Sequence, residues 1–596
     1  MTTKAPRKAS SKRKKSKDSK MTDLKQAPSD SQFLSPEPER DVDQQDQGTT
    51  IYGHGDFQRL ICCFTVVALI VLQCHTQALA LITRPVDHWC RPPSRLAGLS
   101  ASKWKNVGIP VDEEGHHSEC LAYAQPGQQP NDTETYECDA WDYDPIHAAH
   151  SARSFWDLVC RRSWLVPLGN AVYMSGALLV VPIAGYLADI VGRKIVITTG
   201  VVALLTSTAS TCISRVYSFF LVTKFMDSAC ASSIFVVSLT LLYEVAPLTY
   251  RVFYISVSCA VGTFLVDVLL LILASFRLPW TVLQVIVLSP TVLLLLSACA
   301  VQESPVWLLF TSRYDEAQAV MLKAASMNKM SRMVAKQTMQ KVRVELSRSE
   351  HTAYTSGITM SPPAGQPRRS YVIRVLIMLF AMMLAFFSLS WSSRLRKDAT
   401  ISVAAVFMSA PSYVVMYLAL ISLGRLQFLL VVMALLGGTC CLCSIAIYAK
   451  PHLVGDALLV FAQCCSRVVV PSAFLYMAEL FPTGVRSAVL CSAYASGRLG
   501  AVAASALGLL EDLGREDLKL AIVGSGLLGV VLSMLGLPET SRGLVDARVA
   551  ETDKDVLKMM QDTLDTASRP RLMRKKKAKA KPLCQEQEPS KCQRRA

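Results

Sequence analysis

The sequence predicts an all-α polytopic membrane protein: twelve transmembrane helices in two six-helix halves, with a large extracellular loop between helices 1 and 2. Three features of the chain lead there. Its 596 residues are 51% hydrophobic with a mean hydropathy of +0.32, too apolar for a soluble protein and long enough for about twelve spans of about 20 residues with their loops. Its apolar runs are separated by short charged turns. A glycine- and arginine-bearing turn after the second run returns in weaker form in the second half, as a membrane fold built from two internal repeats would have it. The net charge of +16 could suit nucleic acid, but the basic residues gather in the tails and in loops that alternate with apolar spans. Cytoplasmic loops of membrane proteins are basic in this way, so the lipid bilayer accounts for the charge and no nucleic-acid partner is expected.

Residues 1–56 are rich in Lys, Ser, Asp, Gln and Pro and carry the run Lys12-Arg13-Lys14-Lys15, the composition of a disordered cytosolic tail. It could meet anionic headgroups, carry phosphosites, or simply enforce orientation. No cleavable signal peptide precedes the first apolar run, 60–82, which places transmembrane helix 1 over 57–83. Residues 84–163 are then extracellular by alternation. They hold Cys90, Cys120, Cys138 and Cys160 and the triplet Asn131-Asp132-Thr133, features of the oxidising, glycosylating side. Four cysteines allow three disulfide pairings, and spacing does not choose among them. Helices 2–6 occupy 164–300 through the runs 164–187, 195–213, 216–242, 251–275 and 279–300. A polar cytosolic link follows over 301–370. Helices 7–12 occupy 371–537 through 371–391, 401–421, 427–448, 456–477, 487–510 and 518–537. Residues 538–596, with Arg574-Lys575-Lys576-Lys577, form a basic cytosolic tail.

The turn Gly185-Tyr186-Leu187-Ala188-Asp189-Ile190-Val191-Gly192-Arg193-Lys194 must lie at a membrane surface, because its charges cost several kcal/mol each at the bilayer centre. Its glycines allow close approach, so Asp189 can reach a cation or a helix N-terminus and Arg193 an acid. That is a latch rather than a catalytic centre. The pattern G-x-L-A-D-x-x-G-R-K resembles the signature loop between helices 2 and 3 of the major facilitator superfamily. Further stretches resemble, within it, the organic cation/anion/zwitterion transporter family. These are Gly55-Asp56-Phe57-Gln58-Arg59, Asp87-His88-Trp89-Cys90-Arg91-Pro92, Cys138-Asp139-Ala140-Trp141-Asp142-Tyr143-Asp144 and Trp156-Asp157-Leu158-Val159-Cys160. Later ones are Tyr243-Glu244-Val245-Ala246-Pro247 with Arg251, Glu303-Ser304-Pro305-Val306-Trp307-Leu308-Leu309 with Arg313, Ala478-Glu479-Leu480-Phe481-Pro482-Thr483-Gly484-Val485-Arg486, and Pro538-Glu539-Thr540. Ser422-Leu423-Gly424-Arg425 repeats the latch without its acidic residue. Val306 stands where that family usually has arginine, and Lys224 replaces another. The resemblance implies a facilitator fold with latches at Asp189/Gly192/Arg193/Lys194, Glu244/Arg251, Glu303/Arg313, Gly424/Arg425 and Glu479/Arg486. Their salt bridges would hold the outward-open state.

Inside the spans, Arg467 and Arg498 interrupt apolar runs. An intramembrane arginine stays charged and needs water, a carboxylate or an anionic ligand, and its planar fork suits a carboxylate or sulfonate. Glycines at 497 and 500 would let a ligand approach the backbone beside Arg498. Either arginine can instead pair with a buried carboxylate such as Asp456 or Asp267. Asp267 itself reads as a proton or cation site or as a carboxyl kept neutral by burial. Lys224 and Asp227, three residues apart on one helix face, can neutralise each other. Trp391, Tyr413, Tyr417, Phe474 and Tyr494 could line a cavity and stack on flat organic ions. In the resembled family, the position that Arg498 occupies tends to be acidic in cation carriers and arginine in anion carriers. The expectation is therefore a plasma-membrane carrier of small organic ions working by alternating access, organic anions favoured, with both termini cytosolic. The alternatives are a cation or zwitterion (carnitine-like) carrier of the same fold, or a non-transporting receptor or scaffold derived from it. No paired His and acid, nucleophile motif, cofactor loop or metal-ligand spacing appears, so neither enzyme chemistry nor a cofactor is expected.

Overall fold

The computed structural model describes residues 52–111, 115–126, 134–144, 151–276, 278–331, 333–337, 340, 369–392, 394, 399–449 and 452–540. The expected glycosylation acceptor Asn131, both tails beyond 52 and 540, and the 341–368 part of the central link lie outside the described residues.

Among the described residues twelve helices are long and apolar enough to cross a membrane. They are α1 Asp56–Ile82, α2 Leu165–Val191, α3 Arg193–Cys212, α4 Tyr217–Val245, α5 Arg251–Ser275 and α6 Trp280–Ala298 in the first half. The second half has α7 Arg369–Ser390, α8 Ala399–Ser422, α9 Arg425–Ala449, α10 His452–Leu480, α11 Arg486–Asp512 and α12 Glu516–Met534. At a rise of 1.5 Å per residue the shortest reaches ~28 Å and the longest ~44 Å, enough for a ~30 Å hydrocarbon core. Hydrophobicity is spread around most of them because lipid and protein interior are equally apolar. The difference shows in packing: α4 is buried along nearly its whole length, whereas α2, α3, α5 and α6 leave most of their surface outward.

The halves meet through two matched helix pairs, α2 against α11 and α5 against α8, as an internal two-fold repeat requires. At the α2–α11 crossing a Cβ on Gly185 would sit 2.6 Å from the Ser487 carbonyl and 2.4 Å from Cys491 Cβ. Only glycine lets these backbones approach so closely. One end of the bundle, the network face, carries the α2–α3 and α10–α11 turns; the other carries the 83–164 insert.

That insert is built on two short antiparallel ribbons, β1 His88–Cys90 with β4 Trp141–Tyr143 and β2 Leu121–Tyr123 with β3 Thr135–Glu137. Disulfides Cys90–Cys138 and Cys120–Cys160 staple them, compensating for a core too small to fold unaided. The Trp104 indole donates to the Cys90 carbonyl at 2.7 Å. Trp156 anchors the insert to the bundle, wedged among Trp280, Phe220 and Tyr217, with its indole N–H on the Arg215 carbonyl at 3.0 Å. After α6, Ser304 caps a short helix, Pro305–Phe310, and a second helix, Tyr314–Met327, leads to Asn328. The Asn328 amide accepts from the Phe57 N–H at 2.9 Å and donates to the Tyr52 and Gly53 carbonyls at 3.0 and 3.1 Å, tying this link to the start of α1.

Candidate functional site

Two constellations stand out, a charged network at one end of the bundle and a cavity between its halves. In the network Arg193 is wholly buried at the start of α3. Its Nη2 donates at 3.0 Å to Asp189, to Glu244 of α4 and to the Thr483 carbonyl of the other half. Arg486, at the start of α11, donates to the same Glu244 oxygen at 3.0 Å. Asp189 in turn accepts the Ser487 and Ala488 N–H groups at 3.3 and 2.8 Å. A carboxylate on the unpaired amides of a helix N-terminus is favoured by the helix dipole as well as by the bonds. Glu303 does the same for α3, accepting Arg193 and Lys194 N–H at 3.0 Å each. Burial pushes the Glu303 carboxyl upward, and the amide bonds from Ser304, Lys194 and Arg193 oppose that shift.

The second half repeats this design. Glu539 accepts the Leu426 and Gln427 N–H groups at 3.0 and 3.2 Å, and Arg425 lies 3.5 Å from Glu479. A Cβ on Gly192 would meet Glu303 Oε2 at 2.5 Å, and one on Gly424 would meet Glu539 Oε2 at 2.4 Å. Gly192 and Gly424 thus leave room for the cap.

Several pairings differ from those the sequence suggests. Glu244 is taken by Arg193 and Arg486, while Arg251 lies over the Tyr243 ring and donates to its hydroxyl at 3.1 Å and to the Ala246 carbonyl at 3.2 Å. Glu303 caps α3 and does not pair with Arg313, which meets Glu316 at an exposed site. Glu479 pairs with Arg425 rather than Arg486. Lys194 joins through its main-chain N–H. For the three glutamates the physical reason is common: helix-start amides, or arginines that the fold brings close, outcompete the partners suggested by sequence, and Arg313 is left to the neighbouring Glu316.

The cavity opens between the two halves, with a volume of about 80 Å³. Arg498, Arg467, Tyr494, Tyr413 and Phe474 stand in its wall. Trp391 does not; it packs against Phe387, centroid to centroid 4.8 Å. Tyr417 packs against Phe253 instead. Gly497 and Gly500 face α7, against Met383 and the Phe380 carbonyl, so they serve helix packing and not ligand access. Gln73 and Thr76 of α1, Phe235, Phe386 and Phe387 complete much of the wall. The polar interruptions of the first apolar run were a sequence signal for the α1 pair; the phenylalanines carry none.

The two arginines have different partners. Arg467 Nη1 bonds to Asp267, joining α10 to α5 across the halves, and Gln77 reaches the other Asp267 oxygen at 3.4 Å. Asp456 is engaged by Arg394 at 3.4 Å. Arg498 has no carboxylate partner among the described residues. Its guanidinium bonds to the Tyr494 hydroxyl and the Met174 sulfur, and lies over the rings of Tyr494 and Phe387 at 4.9 and 5.8 Å. It is 4% exposed, and its Nε has no hydrogen-bond partner. The cavity therefore presents one unneutralised cation, an aromatic floor beneath it and an ion pair beside it.

A twelve-helix bundle of two repeats enclosing a mid-bundle cavity defines a membrane carrier of the facilitator class. The chain matches the family described as "Sugar (and other) transporter" over residues 122–545 and belongs to it. Among curated relatives it is 25% identical over 504 residues to solute carrier family 22 member 6 of Oryctolagus cuniculus, covering 82% of this chain and 90% of that one. It is 26% identical to an organic cation transporter protein of Drosophila melanogaster over the same shares. It is 27% identical to organic anion transporter 3 of Rattus norvegicus, over 77% and 85%. The resemblance to organic cation/anion/zwitterion transporters therefore extends over most of the chain. In structure it is similar to the proton:xylose symporter XylE, with a TM-score of 0.57 at 15% identity over 81% of this chain and 97% of that one. The human organic anion transporter MFSD10 gives 0.50 at 15% identity over 80% and 100%. Family and fold are those of transporters, not of enzymes.

Proposed function

We propose that the chain carries small organic ions across the plasma membrane by alternating access, and that organic anions with a flat apolar body are its substrates. One observation carries the reading: Arg498 is a buried, permanently charged fork in the cavity with no carboxylate partner among the described residues. A buried charge left uncompensated is costly. A carboxylate or sulfonate bound there forms charge-assisted bonds and removes that cost, while Tyr494, Phe387 and Phe474 stack on its ring. On this reading the network face is cytosolic, with both termini on that side, and the disulfide-stapled insert is extracellular and bears Asn131. The network would then be the latch that keeps the cytosolic entrance shut while the cavity loads from outside.

The test is uptake, by cells expressing the protein, of an aromatic carboxylate, a quaternary ammonium and a zwitterion, with Arg498 intact and with Arg498→Asp. Carboxylate uptake that is lost in the variant at equal surface expression is expected. Preference of the intact protein for the ammonium overturns the anion reading, and no uptake of any of the three identifies a non-transporting relative.

A further inference from the structure

Behind the cavity wall of the first half lies a fully enclosed group of polar side chains. His75 of α1 is 1% exposed, and neither ring nitrogen has a hydrogen-bond partner among the described residues. Its nearest charged neighbour is Asp227 of α4, whose Oδ2 lies 3.6 Å from His75 Nδ1. Lys224 Nζ holds that same oxygen at 3.3 Å and also donates to Gln284 of α6 at 3.2 Å. From α3, Thr208 and Thr211 donate to Asp227 at 3.1 and 3.5 Å. Tyr173 of α2, Cys212 and Cys230 lie within electrostatic reach of Asp227. Asp227 and Lys224 are thus the charged groups facing His75, and together they sum to zero.

An imidazole with two unpaired nitrogens in an apolar interior forfeits the hydrogen bonds it had in water, a cost of about 1–3 kcal/mol for each unsatisfied group. In the neutral ring an Nδ1–H can already turn to Asp227 Oδ2, which leaves Nε2 a buried, unpaired base; a second proton taken there gives an imidazolium whose charge faces the Asp227 carboxylate, while Lys224 keeps its bond to Gln284. We propose that His75 is a proton-binding site that loads and unloads during transport, its proton moving with the organic anion held at Arg498.

This rests on the anion reading above. Its physical basis is charge balance: the proton adds one positive charge to a neutral cluster, the anion adds one negative charge to the cavity, and each lowers the cost of burying the other. The two sites are physically joined. Thr76, next to His75, lines the cavity and shares a hydrogen bond with the Tyr173 hydroxyl at 3.0 Å. Tyr173 lies within electrostatic reach of both Arg498 and Asp227. The proton comes from water on the loading side and returns to water on the other, so no further reactant is needed.

The experiment is uptake of a labelled aromatic carboxylate by proteoliposomes at outside pH 5.5 and 7.5 with the lumen buffered at 7.5, alongside a lumenal pH dye. The intact protein should carry about fivefold more at pH 5.5, the scale of an ordinary coupling between two sites, and acidify the lumen as it does. In His75→Gln the ratio between the two pH values should fall to about one, whatever its absolute rate. Equal uptake by the intact protein at both pH values, carboxylate uptake without acidification, or an unchanged ratio in His75→Gln overturns the proposal. If the intact protein moves no carboxylate at all, the anion reading has failed instead. Infrared difference spectra of the purified protein with labelled histidine then decide the site itself. A band titrating between pH 7.5 and 5.5 that is missing from His75→Gln is the expected result, and its absence from the intact protein refutes a proton at His75.

Discussion

Arg467 and Arg498 are alike in sequence setting and opposite in what their removal should do. Arg467 forms a buried pair with Asp267. Arg467→Met or Asp267→Asn alone strands the other group, which costs about 3–5 kcal/mol, whereas replacing both with apolar residues of similar size costs far less. In thermal unfolding of the purified protein, each single variant should melt well below the double variant Arg467→Met/Asp267→Leu. Equal melting of all three would mean that the pair does not form. Arg498 has no such partner to strand among the described residues, so Arg498→Met should melt at or above the parent while uptake of an aromatic carboxylate falls to background, the trade expected of a residue kept for binding. A melting loss as large as that of Arg467→Met would instead make Arg498 structural. Both arginines were legible as charges inside apolar runs. That one is paired and the other free was not, because the deciding partner, Asp267, lies 200 residues away and its proximity is a product of the fold.

Two helices begin under a carboxylate supplied from the far end of their own half: α3 under Glu303 and α9 under Glu539. Gly192 carries an extra constraint, because its φ of 115° lies where L side chains rarely go, so Gly192→Ala strains the backbone as well as pushing Glu303 from its cap. Gly424→Ala displaces Glu539 without the backbone penalty. Both should lower the melting point, Gly192→Ala by more, and Gly192→Ala/Glu303→Ala should lose little beyond Gly192→Ala alone, since the clash and the cap are then the same loss. Fully additive effects would show that Gly192 and Glu303 act separately. The helices were readable to within a few residues from runs of apolar side chains, and the G-R turn marks both starts. The caps were less so. Glu244 and Arg251, or Glu479 and Arg486, sit two helical turns apart in sequence and read as partners. The fold turns each acid toward an arginine from another helix, Glu244 toward Arg193 and Arg486, Glu479 toward Arg425.

Across the whole molecule, the two halves are fastened together at the network face by bonds that one set of side chains supplies. Arg486 reaches Glu244, Arg193 reaches the Thr483 carbonyl, and Asp189 caps α11, all between halves. The repeat is not symmetric here: Asp189 has no acidic counterpart in Ser422-Leu423-Gly424-Arg425, and among the described residues the N-cap of α5, Tyr250, makes no side-chain cap bond. The α2–α11 seam is therefore held by polar bonds beyond its packing, and Cys491, fully buried against Gly185 within that seam, reports whether it is shut. Asp189→Asn removes the charge from the α11 cap and leaves Arg193 paired with Glu244, so the bundle keeps its most buried pair while the seam loosens. A few kcal/mol off one side of a two-state equilibrium moves its population by an order of magnitude or more. Labelling of Cys491 by a membrane-permeant maleimide, followed peptide by peptide, should accelerate about tenfold in Asp189→Asn, with Cys440 in the interior of the second half unchanged as the control for global unfolding. If Cys440 accelerates with Cys491, the substitution has loosened the fold. If neither changes, the seam is held by packing at Gly185 and the charged network is not what keeps this face closed.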